Sequence, residues 1–142
     1  MITIDANIAV KWYLPEADSP RALTLFNDPT PLVAPALIRT EVCSAITRRV
    51  REQQLTEPEA REHCREWLDD LRNGVVRMVP DEELLPQAIE LSLTIRHALL
   101  DSFYLAVAQQ HKIPLLTADG TFQKRAVKLY PETHLLSHWK TH

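Results

Sequence analysis

The sequence predicts an α/β fold: a three-layer α/β/α sandwich around a mostly parallel five-stranded sheet. Two observations predict it. Five short runs of β-type residues recur along the chain, separated by helical stretches, and this alternation is the pattern of a parallel sheet covered by helices on both faces. Over 142 residues, 45% hydrophobic and 25% charged content supplies one core and no more, so a single domain spanning 1–142 is expected.

Each element has its own signal. Met1 to Ile4 reads as the first strand, and Asn7 to Leu14 as a short helix stopped by Pro15. Ser19 with Pro20 behind it suits the cap and first position of a helix reaching Phe26 or Asn27. Leu32 to Ala34 is a second strand before Pro35. A longer helix runs from about Leu37 to Glu52, with Ile38, Val42, Ile46 and Val50 on one face. Thr56 caps the next helix, Pro58 sits just inside it, and Ala60, Cys64, Trp67, Leu68 and Leu71 form its apolar face. Gly74 stands where a left-handed cap belongs. Val75 to Val79 is a third strand closed by Pro80. Asp81 starts a helix from Glu82 to about Arg96 that carries Leu85, Ala88, Ile89 and Ser92. Asp101 opens another helix ending near His111. Ile113 to Ala118 is the fourth strand, Phe122 to Leu129 a short helix, and Thr133 to Leu136 a fifth strand.

Several function classes drop out early. Two glycines leave no G-x-G-x-x-G and no P-loop. Cys43 and Cys64 form no C-x-x-C pair, so they read as small buried hydrophobes in a reducing compartment rather than zinc ligands. No stretch approaches a membrane span, and the N-terminus lacks the pattern of a signal peptide, so a cytoplasmic protein is expected. A net charge of −3 argues against a passive nucleic-acid binding module. It leaves room for an enzyme that holds phosphates through metal ions and a local basic patch.

The acids carry the chemistry. Asp5 follows strand one and Asp119 follows strand four, so both project from the carboxyl edge of the sheet, where open α/β sheets bind ligands. Glu41 lies in the first turns of the helix after strand two, near the same edge. The start of the helix bearing Asp101 is not automatically there. Clustered carboxylates raise one another's pKa and resist ionisation. A Mg²⁺ or Mn²⁺ ion reverses that, takes oxygen ligands and activates water for attack on a phosphodiester. Read singly, each acid has an ordinary structural role: Asp5 and Asp101 as caps, Glu41 as a solvated helix residue, Asp119-Gly120 as a turn pair.

Together the four segments resemble the PIN-domain family. Asp5 in IDANIAVKWYLPE, Glu41 in APALIRTEV, Asp101 in LLDSFYLAVAQ and Asp119 in LLTADGTF stand in the order of its four motif acids. The resemblance covers almost the whole chain. It implies a Mg²⁺- or Mn²⁺-dependent endoribonuclease, most similar to VapC-type toxins held inactive by a small antitoxin, with homodimerisation expected. It also implies that Asp5, Glu41, Asp101 and Asp119 act as metal ligands and catalytic residues, with Asn7 and Thr117 as supporting polar residues. No further acid follows Asp119 at the short spacing of some relatives, so a second metal position lacks its usual donor. A non-catalytic PIN-like dimerisation or RNA-binding module is the alternative. A phospho-receiver domain with Asp81 as acceptor lacks the paired acids near strand one.

Arg48, Arg49, Arg51 and Lys11 are candidates for RNA or antitoxin binding, against the reading of Lys11 as a surface lysine and the arginines as a solvated helix end. Trp12, Tyr13, Phe103 and Tyr104 read as packing residues. His63, His97 and His111 read as surface helix residues. His134, His138 and His142 belong to a C-terminus expected to be poorly ordered.

Overall fold

Ile2–Ile4 forms strand β1, with all three side chains buried. The computed structural model describes residues 1–140. The remaining strands are β2 at Leu32–Pro35, β3 at Arg77–Val79, β4 at Leu115–Thr117 and β5 at Thr133–Leu135. They form one sheet in the order β3-β2-β1-β4-β5, and every pairing is parallel. The three inner strands are buried throughout, which is why their sequences run apolar without alternation.

Among the described residues, seven helices connect and cover the strands: α1 at Ala6–Val10, α2 at Ser19–Asn27, α3 at Ile38–Arg51, α4 at Glu57–Arg72, α5 at Asp81–Ile95, α6 at Leu99–His111 and α7 at Gly120–Val127. Chain order jumps between the neighbours β1 and β4, so a crevice opens at their carboxyl ends. The helix α6 lies against β1 and β2. Among the described residues, no helix is long and apolar enough to cross a membrane.

Four local expectations are corrected. The first helix ends at Val10 rather than Leu14, because the amides of Lys11, Trp12 and Tyr13 bond three residues back and tighten the chain into a turn. Ser19 does not cap its helix. Its hydroxyl accepts from the Glu16 amide and donates to the Leu14 carbonyl, tying the preceding loop. The third strand starts at Arg77 rather than Val75. Gly74, at φ 81°, and Val75 donate their amides back to Leu71 and Asp70 to close α4, so Val75 is committed to the helix cap. On α5 the buried stripe is Leu84, Ala88, Leu91 and Ile95, whereas Leu85 and Ile89 are exposed.

Trp12 and Tyr13 do pack inward. Trp12 meets Phe26 at a centroid distance of 5.1 Å and Trp67 at 6.2 Å, and Tyr13 is buried beside Trp67. Cys43 and Cys64 are half-buried between α3 and α4. Burial, with Cys64 alongside, pushes the Cys43 thiol up to about 11. His134 lies in β5 and His138 in a closing 3₁₀ turn, Leu136–His138, so these two histidines are not part of a frayed tail. His142 lies outside the described residues.

Candidate metal centre

The crevice between β1 and β4 begins with Asp5. Its amide donates to Leu116 of β4 at 3.0 Å, which pins the residue across the strand junction. Its side chain is 4% exposed. Thr117 Oγ1 donates to Asp5 Oδ2 at 2.8 Å, and Asn7 Nδ2 donates to the same oxygen at 3.3 Å. Asn7 also donates to Thr117 Oγ1 at 3.2 Å and accepts from the Ala118 amide at 3.0 Å. Asn7 thus staples the end of β1 to the end of β4, and Thr117 passes the link on by accepting from the Asp119 amide at 3.1 Å.

Asp119 caps α7. Its Oδ1 accepts from the amides of Thr121 at 2.9 Å and Phe122 at 3.1 Å. Glu41 stands in the first turn of α3, where its Oε1 accepts from the buried Tyr104 hydroxyl at 2.7 Å. Asp101 stands in the first turn of α6, and its Oδ2 meets His97 Nε2 at 2.7 Å. The start of α6 is therefore at the same edge, a point the strand pattern alone left open.

All four acids line one cleft of about 490 Å³, together with Asn7, Ser44 and Arg48. The electrostatics register the crowding. Burial first, then the neighbouring Asp101 and Glu41, push the Asp5 carboxyl up to about 7, against the opposing Thr117 hydrogen bond. Burial also raises Glu41, with Asp101 and Asp81 adding to it and the Tyr104 hydroxyl opposing it. Tyr104 is held well above the ordinary phenol range by its own burial and by the acids around it, so it stays a hydrogen-bond donor.

The donor set suits a hard cation. The side-chain and amide hydrogen bonds of each acid fall on one oxygen: Oδ2 of Asp5, Oε1 of Glu41, Oδ2 of Asp101 and Oδ1 of Asp119. The second oxygens remain for a ligand in the cleft, apart from the Ala6 amide close to the Asp5 carboxyl. Clustered oxygen donors of this kind match Mg²⁺ and Mn²⁺. Atoms of His97, Asp101 and Asp119 also lie within 4.8 Å of one another.

The basic candidates separate. Arg48 lines the acid cleft. Lys11 is not a free surface lysine: it is 11% exposed and bonds Glu16 at 2.7 Å, and Glu16 also pairs with Arg49. Arg51 is elsewhere, in a groove of about 380 Å³ between α3 and α4 lined by Val50, Ala60, Arg61 and Cys64. Asp81 accepts from the Leu37 amide at 2.9 Å, a capping role rather than a phosphate acceptor's.

Two site residues escaped sequence reasoning. Tyr104 packs in the core as expected, but its hydroxyl reaches Glu41. His97 is not a surface helix residue: it follows the left-handed Arg96 between α5 and α6, with its side chain 9% exposed. Both stand one helical turn from Asp101 in sequence, the signal that was available.

Against known proteins, the sequence model of the family described as PIN domain matches residues 2–128. No curated protein sequence matches. The fold is similar to a toxin–antitoxin complex chain from Klebsiella pneumoniae, with a TM-score of 0.61 and 16% identity, covering 96% of this chain and 98% of that one. It is similar to VapC20 of Mycobacterium tuberculosis, a Sarcin-Ricin loop cleaving toxin, with a TM-score of 0.66, 19% identity and coverage of 87% and 94%. A chain of FitAcB from Neisseria gonorrhoeae gives 0.63 and 17%, with coverage of 98% and 100%. At these identities the likeness concerns the fold.

Proposed function

Because the chain belongs to the PIN-domain family, we propose that it is a Mg²⁺- or Mn²⁺-dependent endoribonuclease, acting as the toxin of a toxin–antitoxin pair. The observation that carries this reading is the convergence of Asp5, Glu41, Asp101 and Asp119 from four separate segments on one cleft. Four acids there, one pushed up to about 7, make a poor structural element and a good cation site.

Asp5, Glu41, Asp101 and Asp119 would hold the ion, directly or through water. When bound, the cation supplies Lewis acidity that activates water and neutralises charge on the reacting phosphate. The protein's part is placement. Thr117 and Asn7 orient Asp5, Tyr104 orients Glu41, and the α7 amides orient Asp119. Arg48, at the cleft wall, would bind an RNA phosphate. Lys11 and Arg49 stand beside it but share Glu16. Arg51, in the apolar α3–α4 groove, suits an antitoxin segment instead.

One solved structure of similar fold is a toxin–antitoxin complex and another is a toxin, which supports an antitoxin partner. A homodimer is supported by Leu85, Ile89 and Leu93, which form an exposed apolar stripe along α5 at four-residue spacing. One domain in a cytoplasmic setting completes the proposal.

Cleavage of a susceptible RNA by purified protein, with and without Mg²⁺ or Mn²⁺, is the test. Asp5→Asn is expected to abolish cutting with an unchanged circular dichroism spectrum. Cutting at the wild-type rate by this variant sinks the mechanism. A folded wild-type protein whose melting point ignores millimolar metal points to the non-catalytic module.

A further inference from the structure

We propose that His97 is a positioning residue for Asp101, donating from Nε2–H to Asp101 Oδ2, and that Arg125 enforces this by fixing the imidazole tautomer. The inference rests on the metal-site reading above and deepens it.

Three contacts define the ring. Nε2 lies 2.7 Å from Asp101 Oδ2. Nδ1 lies 3.1 Å from Arg125 Nη1. The face stacks on Phe122 with centroids 4.9 Å apart and planes at 16°. The backbone is equally constrained: the His97 amide donates to the Ser92 carbonyl at 3.2 Å, and the Ser92 hydroxyl donates to the His97 carbonyl at 2.5 Å.

The tautomer follows from donor counting. A guanidinium has only N–H donors, so the nitrogen facing Arg125 must present its lone pair. Arg125 is itself anchored, because the same Nη1 donates to the Arg96 carbonyl at 2.9 Å. In a neutral imidazole the proton then sits on Nε2, aimed at a carboxylate oxygen that can only accept. The opposite assignment sets two donors against each other at Arg125 and two acceptors against each other at Asp101. Direct ligation of a cation by Nε2 requires that opposite assignment. The nearness of His97 to Asp101 and Asp119 is thus the nearness of a support, not of a ligand.

The support has a job to do. The start of α6, where Asp101 stands, has no side-chain cap, and its N-cap is Ala98. With Oδ2 held by His97, Oδ1 is left for the cleft. Phe122 belongs to the helix that Asp119 caps, so the stacked ring also ties Asp101 to the Asp119 side of the site. Partners that orient a liganding group in this way are typically worth about 10- to 100-fold in metal affinity.

The experiment titrates Mn²⁺ into the full-length protein by calorimetry and records pulsed electron paramagnetic resonance of the bound ion. The variants are His97→Ala, His97→Gln and Arg125→Met, each checked for an unchanged melting point without metal. His97→Ala is expected to weaken Mn²⁺ about 10- to 100-fold. His97→Gln, whose amide donates from nearly the same place as Nε2, recovers most of that loss. Arg125→Met weakens binding by a smaller factor, and wild type shows no coupling from a directly bound nitrogen. Wild-type affinity in His97→Ala, no recovery in His97→Gln, or nitrogen coupling in wild type each overturns the proposal. If wild type binds no Mn²⁺, the metal-site reading falls and takes this inference with it. If wild type binds Mn²⁺ and cuts RNA while His97→Ala matches it, only this inference falls.

Discussion

Asp5 titrates far from an ordinary aspartate, and the direction has a consequence for stability. Burial and its acidic neighbours place the folded-state carboxyl at about 7, against 3.8 as its ordinary value. The folded protein therefore holds a proton that the unfolded chain releases. Without metal, the contribution is fully present below about pH 4 and is lost as pH rises through about 7. Asp5→Asn keeps the shape and removes the charge. At pH 8, chemical denaturation without metal is expected to show the variant more stable by ~2–4 kcal/mol, with the gap closing towards pH 5. An equal gap at both pH values contradicts the buried-charge account. Asp5 and Asp119 were legible in the sequence because one directly follows β1 and the other stands two residues past β4, and the carboxyl ends of these buried strands face the ligand edge. His97 was not. Its spacing to Asp101 offered a signal, but nothing nearby announces a ring pinned between Phe122 and Arg125, contacts made with residues far along the chain.

At the level of elements, local chemistry was easiest to read where it is self-contained. Thr56 and Glu59 form a reciprocal capping box, with the Thr56 hydroxyl accepting from the Glu59 amide at 3.3 Å and the Glu59 carboxylate accepting from the Thr56 amide at 2.9 Å. Thr56→Ala is expected to cost about 1 kcal/mol in urea unfolding, with RNA cleavage unchanged because α4 contributes nothing to the acid cleft. The stripe on α5 was harder. Leu84, Ala88, Leu91 and Ile95 and the neighbouring Leu85, Ile89 and Leu93 both satisfy helical spacing. Only the packing against α6, where Gln87 bonds Gln109 at 2.8 Å, decides which faces inward. The exposed stripe carries its own expectation. Leu93 is 69% exposed, so Leu93→Glu should leave the melting point of the isolated fold nearly unchanged. It should shift sedimentation from dimer to monomer. A variant that sediments as wild type rules this stripe out as the interface of the proposed homodimer.

For the molecule as a whole, the βα alternation made the parallel sheet and its five strands readable from the residues alone. The strand order was not readable in the same way. β4 pairs with β1 from far along the chain, a junction tied by the Asn7–Thr117 hydrogen bond across 110 residues, and no local pattern announces that. The same long-range assembly puts Glu16 between Lys11 and Arg49, which changes how this surface should respond to ionic strength. A cation already neutralised by an internal carboxylate has few condensed anions to shed and little new charge to offer a polynucleotide. Binding of single-stranded RNA by the Asp5→Asn protein should therefore fall off with KCl less steeply than a count of nearby basic residues suggests. Adding Glu16→Gln to that background frees both partners. The plot of log affinity against log salt should then steepen by about 0.7, the one net positive charge that the substitution adds. An unaltered slope means that RNA never reaches Lys11 and Arg49.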